Sequence, residues 1–461
     1  MDPTSPATPD RPADRPAVGF RPAASGSRTG MSRRSLLAAA GLIPLAGVAA
    51  CGSSKSSPQS GMTLDDNKSV ELSVFWWGGK ARAENTEKAL ALYTQRHPKV
   101  TFKTSWQANQ GYYEKLATLA ASDSAPDLFQ IDDNGLSDYT TRGVTLDLTP
   151  FVGTEIHTDG FSAGLRDSGS VRGKRGGIPA AENTPAMFVD RTALAKWGLA
   201  VPTVGASWDS LVTLGADVHT RSGGALNGTM DPSADYKVLE VWLRQQGKDL
   251  YTTDGDLGFT ADDLARWFQF WVDAAGKHAT PPADLIHTAN SGDITKQLVT
   301  TQKGVTSFLW SNQLEEARKN TDHDIALTTY PGPASGAWAR ASMYWSSSAK
   351  TKNAARAADV INFLVNDPEA GKILGAERGL FPNATVRKQI ESTLSPANQV
   401  SATFEETLAS QFGPLPPLPP KGHKKVKSLL TDAAESVQYR KSDPAAAAGS
   451  FVSQAKAAIG A

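Results

Sequence analysis

Cysteine is almost absent: one residue, Cys51, in a chain of 461. A disulfide framework is thereby excluded, and so is any zinc or iron–sulfur site built from several thiolates. The seven histidines (97, 157, 219, 278, 287, 323 and 423) include no pair at metal-ligand spacing. No glycine-rich phosphate loop, nucleophile elbow or dinucleotide fingerprint occurs, and no cofactor is expected. Ser347 with Lys350 and Ser453 with Lys456 match one element of the penicillin-recognising serine enzymes, but its partner elements are missing. Asp132 and Asp133 are adjacent carboxylates. Neighbours at a strand end point in different directions, so they do not face each other across a scissile bond. Charge of either sign is also missing in net terms, with 47 basic and 47 acidic residues. The first 50 residues hold six Arg and three Asp, which leaves 41 basic and 44 acidic beyond them. That balance predicts no nucleic-acid partner and no attraction to anionic lipid.

What is present begins with an address. Residues 1–30 are rich in Pro, Ala and Arg and have little to bury, as in a disordered or over-extended start. From Met31 a basic n-region (Arg33, Arg34) leads into an apolar run, Leu36 to Ala50, too short for a comfortable membrane span of ~20 residues. Residues 31–50 therefore read as a signal peptide, exported by the Tat or the Sec route. Val48-Ala49-Ala50-Cys51 resembles the lipobox of bacterial lipoproteins, in which the cysteine is lipidated and becomes the first mature residue. Two acyl chains at ~0.8 kcal/mol per buried methylene hold a protein on a membrane where one is marginal. Residues 51–69 then form a flexible linker rich in Ser, with few side chains able to pack.

The body reads as α/β. Glu71–Trp77 has the pattern of a buried strand, Val100–Trp106 alternates with period 2 as a second strand, and Leu128–Ile131 is a third short one, with helical periodicity between them. Such alternation implies a mostly parallel sheet flanked by helices. A second strand cluster follows at 304–310 and 324–333, and 411–425 is a proline-rich connector.

Several segments, in order, resemble the extracellular solute-binding lipoproteins of carbohydrate ABC importers, the maltose-binding-protein-like family. They are VFWWGG (74–79), YYEKLATLAASDSAPDLFQID (112–132), LDLTPFV (146–152), the stretch 177–211, GVTSFLWSNQLEEA (304–317) and the stretch 347–383. The resemblance implies a two-lobe periplasmic-binding-protein-like fold of type II, with a hinge of crossover strands and the ligand in the cleft between lobes. It puts the crossings near 178–183, 286–292 and 330–339. Lobe 1 would hold 70–178 plus 290–332, and lobe 2 would hold 179–289 plus 333–461. The proline-rich segment departs from the family pattern and has no assigned lobe. The function implied is a lipid-anchored monomer on the outer face of the cytoplasmic membrane. It would capture a sugar and pass it to an ABC permease.

A sugar ring offers an apolar face and a rim of hydroxyls, so its site needs flat aromatics together with carboxylates and amides. Trp77 is the expected cleft residue at the end of the first strand, with Trp76 in the core. Asp133 and Asn134 follow the third strand. By resemblance, Glu182 and Asn183 lie on the first crossover, Trp310 and Asn312 follow a strand end, and Arg340, Tyr344 and Trp345 line the returning strand. Trp197, Trp208, Trp267 and Trp271 read as structural. Two rival functions fit the same sequence: a tethered carbohydrate-active enzyme, and a binding or sensor lipoprotein without a transporter.

Overall fold

A computed structural model describes residues 61–460. The extension 1–30, the signal segment 31–50 and the lipidation candidate Cys51 lie outside the described residues.

Among the described residues ten strands occur in chain order: β1 (Val70–Trp77), β2 (Val100–Gln107), β3 (Leu128–Ile131), β4 (Ser170–Val171), β5 (Lys174–Arg175), β6 (Ile178–Asn183), β7 (Pro185–Asp190), β8 (Thr306–Trp310), β9 (Ile325–Thr328) and β10 (Arg340–Ser347). The first lobe is built on the sheet β2-β1-β3-β10-β6, in which β1 pairs in parallel with β2 and β3. β10 runs antiparallel to both of its neighbours, β3 and β6. The second lobe has the sheet β8-β7-β9 and a thick shell of helices.

The α/β two-lobe class stands, with two corrections of detail. The second sheet is antiparallel in both pairings, where a mostly parallel one is expected. β7 enters it straight from the lobe 1 sheet through Thr184, and so runs against the lobe's own strands. The segments are also distributed differently. β8 and β9 flank β7 in lobe 2, not lobe 1, while β10 returns to lobe 1. β10 fits there because Ala341, Met343, Tyr344 and Trp345 are all buried, as a strand between two covered faces requires. The chain thus changes lobe between Asn183 and Pro185, between Trp338 and Arg340, and again near residues 391–396. The expected crossing at 286–292 falls inside lobe 2, whose core takes Ile286 and Ala289.

The expected flexible linker is docked over its described end. The Gly61 carbonyl accepts from Ala355 N (2.8 Å), Lys68 reaches Asn353 (3.0 Å), and Met62 packs on the lobe 1 core. Asp66 pairs with Arg356 at 2.7 Å. Arg356 is buried, and the paired carboxylate makes that tolerable.

Lobe 2 centres on a tryptophan cluster. Thr260 and Asp263 form a capping box that starts the helix Ala261–Gly276. Trp267 and Trp271, one turn apart on it, lie with ring centroids 5.5 Å apart. Trp208 (5.6 Å) and Trp242 (5.2 Å) pack on Trp267, and the Trp267 indole N–H donates to Ser233 O. This cluster carries the helix Tyr236–Arg244, which faces the cleft. Among the described residues no helix is long and apolar enough to cross a membrane.

Candidate functional site

The site is assembled from short pieces of both lobes. β3 is wholly buried and leads into Asp132, whose carboxylate caps the next helix by accepting from Gly135 N at 2.9 Å. With the cap supplied by Asp132, Asp133 is free to turn to the cleft, where it pairs with Arg340 at 2.7 Å. Burial pushes the Asp133 carboxyl up, and the Arg340 charge opposes that shift. The Arg340 guanidinium also lies over the Trp310 ring, 4.6 Å from its centroid. Tyr344 completes this wall. Behind it Gly169, at φ +85°, brings the chain so close that a Cβ there would stand 2.1 Å from the Gly177 carbonyl oxygen. Only glycine allows that approach, which sets Ser168 and Ser170 at the cavity edge.

The opposite wall is lobe 2. Asp235 caps the helix Tyr236–Arg244, and its first and fifth residues, Tyr236 and Glu240, fall on one face. Trp338, Tyr251 and His423 join them. The Tyr251 hydroxyl and His423 Nδ1 are 2.8 Å apart. Burial, with Lys427 and Arg340 nearby, lowers His423 to about 4, so the ring is neutral at pH 7. The proline-rich segment closes the third side with Leu415–Pro419. Together these residues enclose a cavity of ≈ 250 Å³ between the lobes. Among the described residues no group of His, Cys, Asp and Glu could hold a metal ion.

Glu240 is 6% exposed, and burial pushes its carboxyl up to about 8 against the pull of Arg244. At neutral pH it faces the cavity mostly protonated, as a hydrogen-bond donor. The folded protein therefore holds a proton that the unfolded chain has lost between about pH 4.5 and about pH 8. Over that interval stability falls as pH rises. Urea midpoints from pH 5 to pH 9 should show a shallower fall in Glu240→Gln than in the unmodified protein. Equal slopes would mean that Glu240 titrates normally.

Of the residues expected from sequence, the structure brings Asp133, Arg340 and Tyr344 to the cavity wall, with Trp310 one layer behind. Trp77, Trp345, Glu182, Asn183 and Asn312 do not line it. Trp77 is 8% exposed and packs edge-on against Tyr112 (5.0 Å); β1 is a central strand covered on both faces, so Trp76 and Trp77 are both core. Trp345 follows Tyr344 and points to the other face, under Arg378 (4.8 Å). Glu182 turns inward to Arg387 (2.9 Å), beside Glu405, which accepts from Ser311. Asn183 donates to Asn312 at 3.2 Å, which ties the two sides of the lobe crossing. Asn134 lies on the helix that Asp132 caps.

Sequence reasoning missed Tyr236, Glu240, Tyr251, Trp338, His423 and the proline-rich wall. The spacing of Tyr236 and Glu240 on a short capped helix was an available signal. The rest come from loops or a helix start, with no local pattern.

The profile of the bacterial extracellular solute-binding proteins matches residues 88–402. A solved family 1 extracellular solute-binding protein from Alicyclobacillus acidocaldarius is 25% identical, with TM-score 0.73, covering 85% of this chain and 99% of that one. A periplasmic oligogalacturonide-binding protein from Yersinia enterocolitica is similar in fold at 21% identity, with TM-score 0.72 and coverage of 85% and 100%. An ABC substrate-binding protein from Listeria monocytogenes, solved with cycloalternan, has TM-score 0.67 at 16% identity and coverage of 85% and 99%. With its two lobes and the cavity between them, the chain belongs to the bacterial extracellular solute-binding proteins.

Proposed function

We propose that this protein is a lipid-anchored receptor that captures a sugar or oligosaccharide in the interlobe cleft and delivers it to an ABC importer permease. One observation carries the reading: the interlobe cavity is walled by the rings of Tyr236, Tyr251, Trp338 and Tyr344, with the Asp133–Arg340 pair among them. Aromatic faces suit the C–H face of a sugar, and the charged pair and Glu240 suit its hydroxyl rim. Solved proteins of this fold bind oligogalacturonide, cycloalternan and, in another case, mannotriose, which supports a carbohydrate ligand. Asp133, Arg340 and Tyr344 are assigned to the ligand from lobe 1, and Tyr236 and Glu240 from lobe 2. A ligand touching both lobes favours the arrangement in which both contacts are made.

The test is thermal denaturation of the full chain against a broad panel of mono- and oligosaccharides. At 100 times its dissociation constant a true ligand adds about 2.7 kcal/mol. A panel without effect, together with a shift from an amino acid, peptide or metal chelate, would sink the carbohydrate reading. Turnover of a bound sugar would replace the receptor with a tethered carbohydrate-active enzyme. For the anchor, Cys51→Ala should move the protein out of the membrane fraction and leave the sugar-induced shift intact. A variant that stays with the membrane would refute lipidation at Cys51.

A further inference from the structure

The proline-rich strap divides the cleft. Gly413 N donates to Ala337 O (2.9 Å) and Arg244 donates to Pro414 O, which fixes the start of the strap to lobe 2. It rejoins lobe 2 at His423, held by Tyr251. Between these anchors Leu415 packs on the core of lobe 2 and Leu418 on that of lobe 1. The inner cavity of ≈ 250 Å³ lies on one side. On the other is an outer cavity of ≈ 910 Å³, reached by Tyr113, Arg142, Arg172 and Lys421. Ser170, Pro417, Leu418, Pro419 and His423 line both, so a single layer of residues is the partition.

The chemistry of that layer suits a wall. Pro414, Pro416, Pro417, Pro419 and Pro420 have fixed φ and no N–H, so only Leu415 and Leu418 keep amide donors within 414–420. Such a segment loses little conformational entropy on ordering and offers shape rather than hydrogen bonds. The inner cavity is smaller than the ~300–1,000 Å³ of sites for drug-sized ligands, and the outer one falls near the top of that range. The basic side chains of the inner lining are Arg340, paired with Asp133 at 2.7 Å, and His423, kept neutral by burial. Among the described lining residues a ligand carboxylate would meet no other cation; Lys427 stands one layer back, 4.5 Å over the Tyr236 ring.

We propose that the strap sets ligand length and class: the inner cavity takes an uncharged mono- or disaccharide, and Leu418 with its flanking prolines stops a longer chain from running into the outer cavity. This rests on the carbohydrate reading above.

The experiment is calorimetric titration of the full chain with the mono-, di- and trisaccharides of glucose, mannose and galactose, plus galacturonate and digalacturonate. The best neutral short sugar should bind roughly 10-fold or more tighter than the trisaccharide of its series and than either uronate. In Pro417→Gly/Leu418→Gly/Pro419→Gly the trisaccharide penalty should shrink to about threefold or less. Leu418→Ala, which keeps every proline, should narrow it by about threefold if the triple variant does not fold. A trisaccharide or uronate that binds the unmodified protein as tightly as the short neutral sugar overturns the proposal. A length profile unchanged in the folded variants does the same and leaves the carbohydrate reading standing. Silence of every sugar overturns that reading, and the proposal with it.

Discussion

Replacing Arg340 by methionine is expected to lower ligand affinity about 100-fold and stability by about 2–4 kcal/mol. Both effects come from one geometry. The guanidinium pairs with Asp133 at 2.7 Å and covers the Trp310 ring at 4.6 Å, and both charged side chains are mostly withdrawn from water. Removing one partner of such a pair leaves the other charge uncompensated, which costs more than the pair contributes. Asp133 would respond by holding its proton to higher pH, in the direction burial already drives it. Between the unfolded titration and the raised folded one, the folded variant binds more protons than its unfolded chain, so its deficit grows as pH rises through that interval and fades in acid. The double variant Asp133→Asn/Arg340→Met should regain most of the stability and none of the binding. Urea titrations at pH 5 and pH 8, with calorimetry on the best ligand, separate the two losses. If Arg340→Met binds that ligand within threefold of the unmodified protein, the pair has no part in recognition.

Trp267→Ala should be the most destabilising single truncation in lobe 2, at about 3–5 kcal/mol. The side chain is fully buried, meets the rings of Trp208, Trp242 and Trp271, and donates to the Ser233 carbonyl. Its removal opens a void among large rigid rings and leaves a backbone acceptor without its donor. The cleft would suffer at second hand, because the helix with Tyr236 and Glu240 also carries Trp242, which packs on Trp267. Denaturation followed by tryptophan fluorescence should show the midpoint falling by roughly 1 M urea or more. Trp106 is the control: it is 42% exposed on the edge strand β2, and Trp106→Ala should stay within about 0.5 kcal/mol. A Trp267→Ala midpoint no lower than that of Trp106→Ala would show that the cluster is not what holds lobe 2 together.

The sequence by itself determined the α/β class, the first three strands with the helices between them, and the structural role of Trp208, Trp267 and Trp271. Those are local matters: period-2 and period-3.6 patterning, turn residues and caps act over a few positions. Asp133 came from its place after a strand end, where the chain turns into a helix, together with the resemblance. Arg340, Tyr344 and Trp310 came from the resemblance in segment order. Only the tertiary structure decided which face of a covered strand meets the cleft. Trp76 and Trp77, like Tyr344 and Trp345, are equally apolar neighbours on opposite faces, and periodicity cannot separate two buried sides. It also decided which lobe owns β8, β9 and β10, since strand pairing is a long-range choice that local patterning leaves open. The same holds for the third wall. A run of prolines announces a stiff, extended segment, but its course across the cleft between Ala337 and Tyr251 depends on contacts with residues more than seventy positions away.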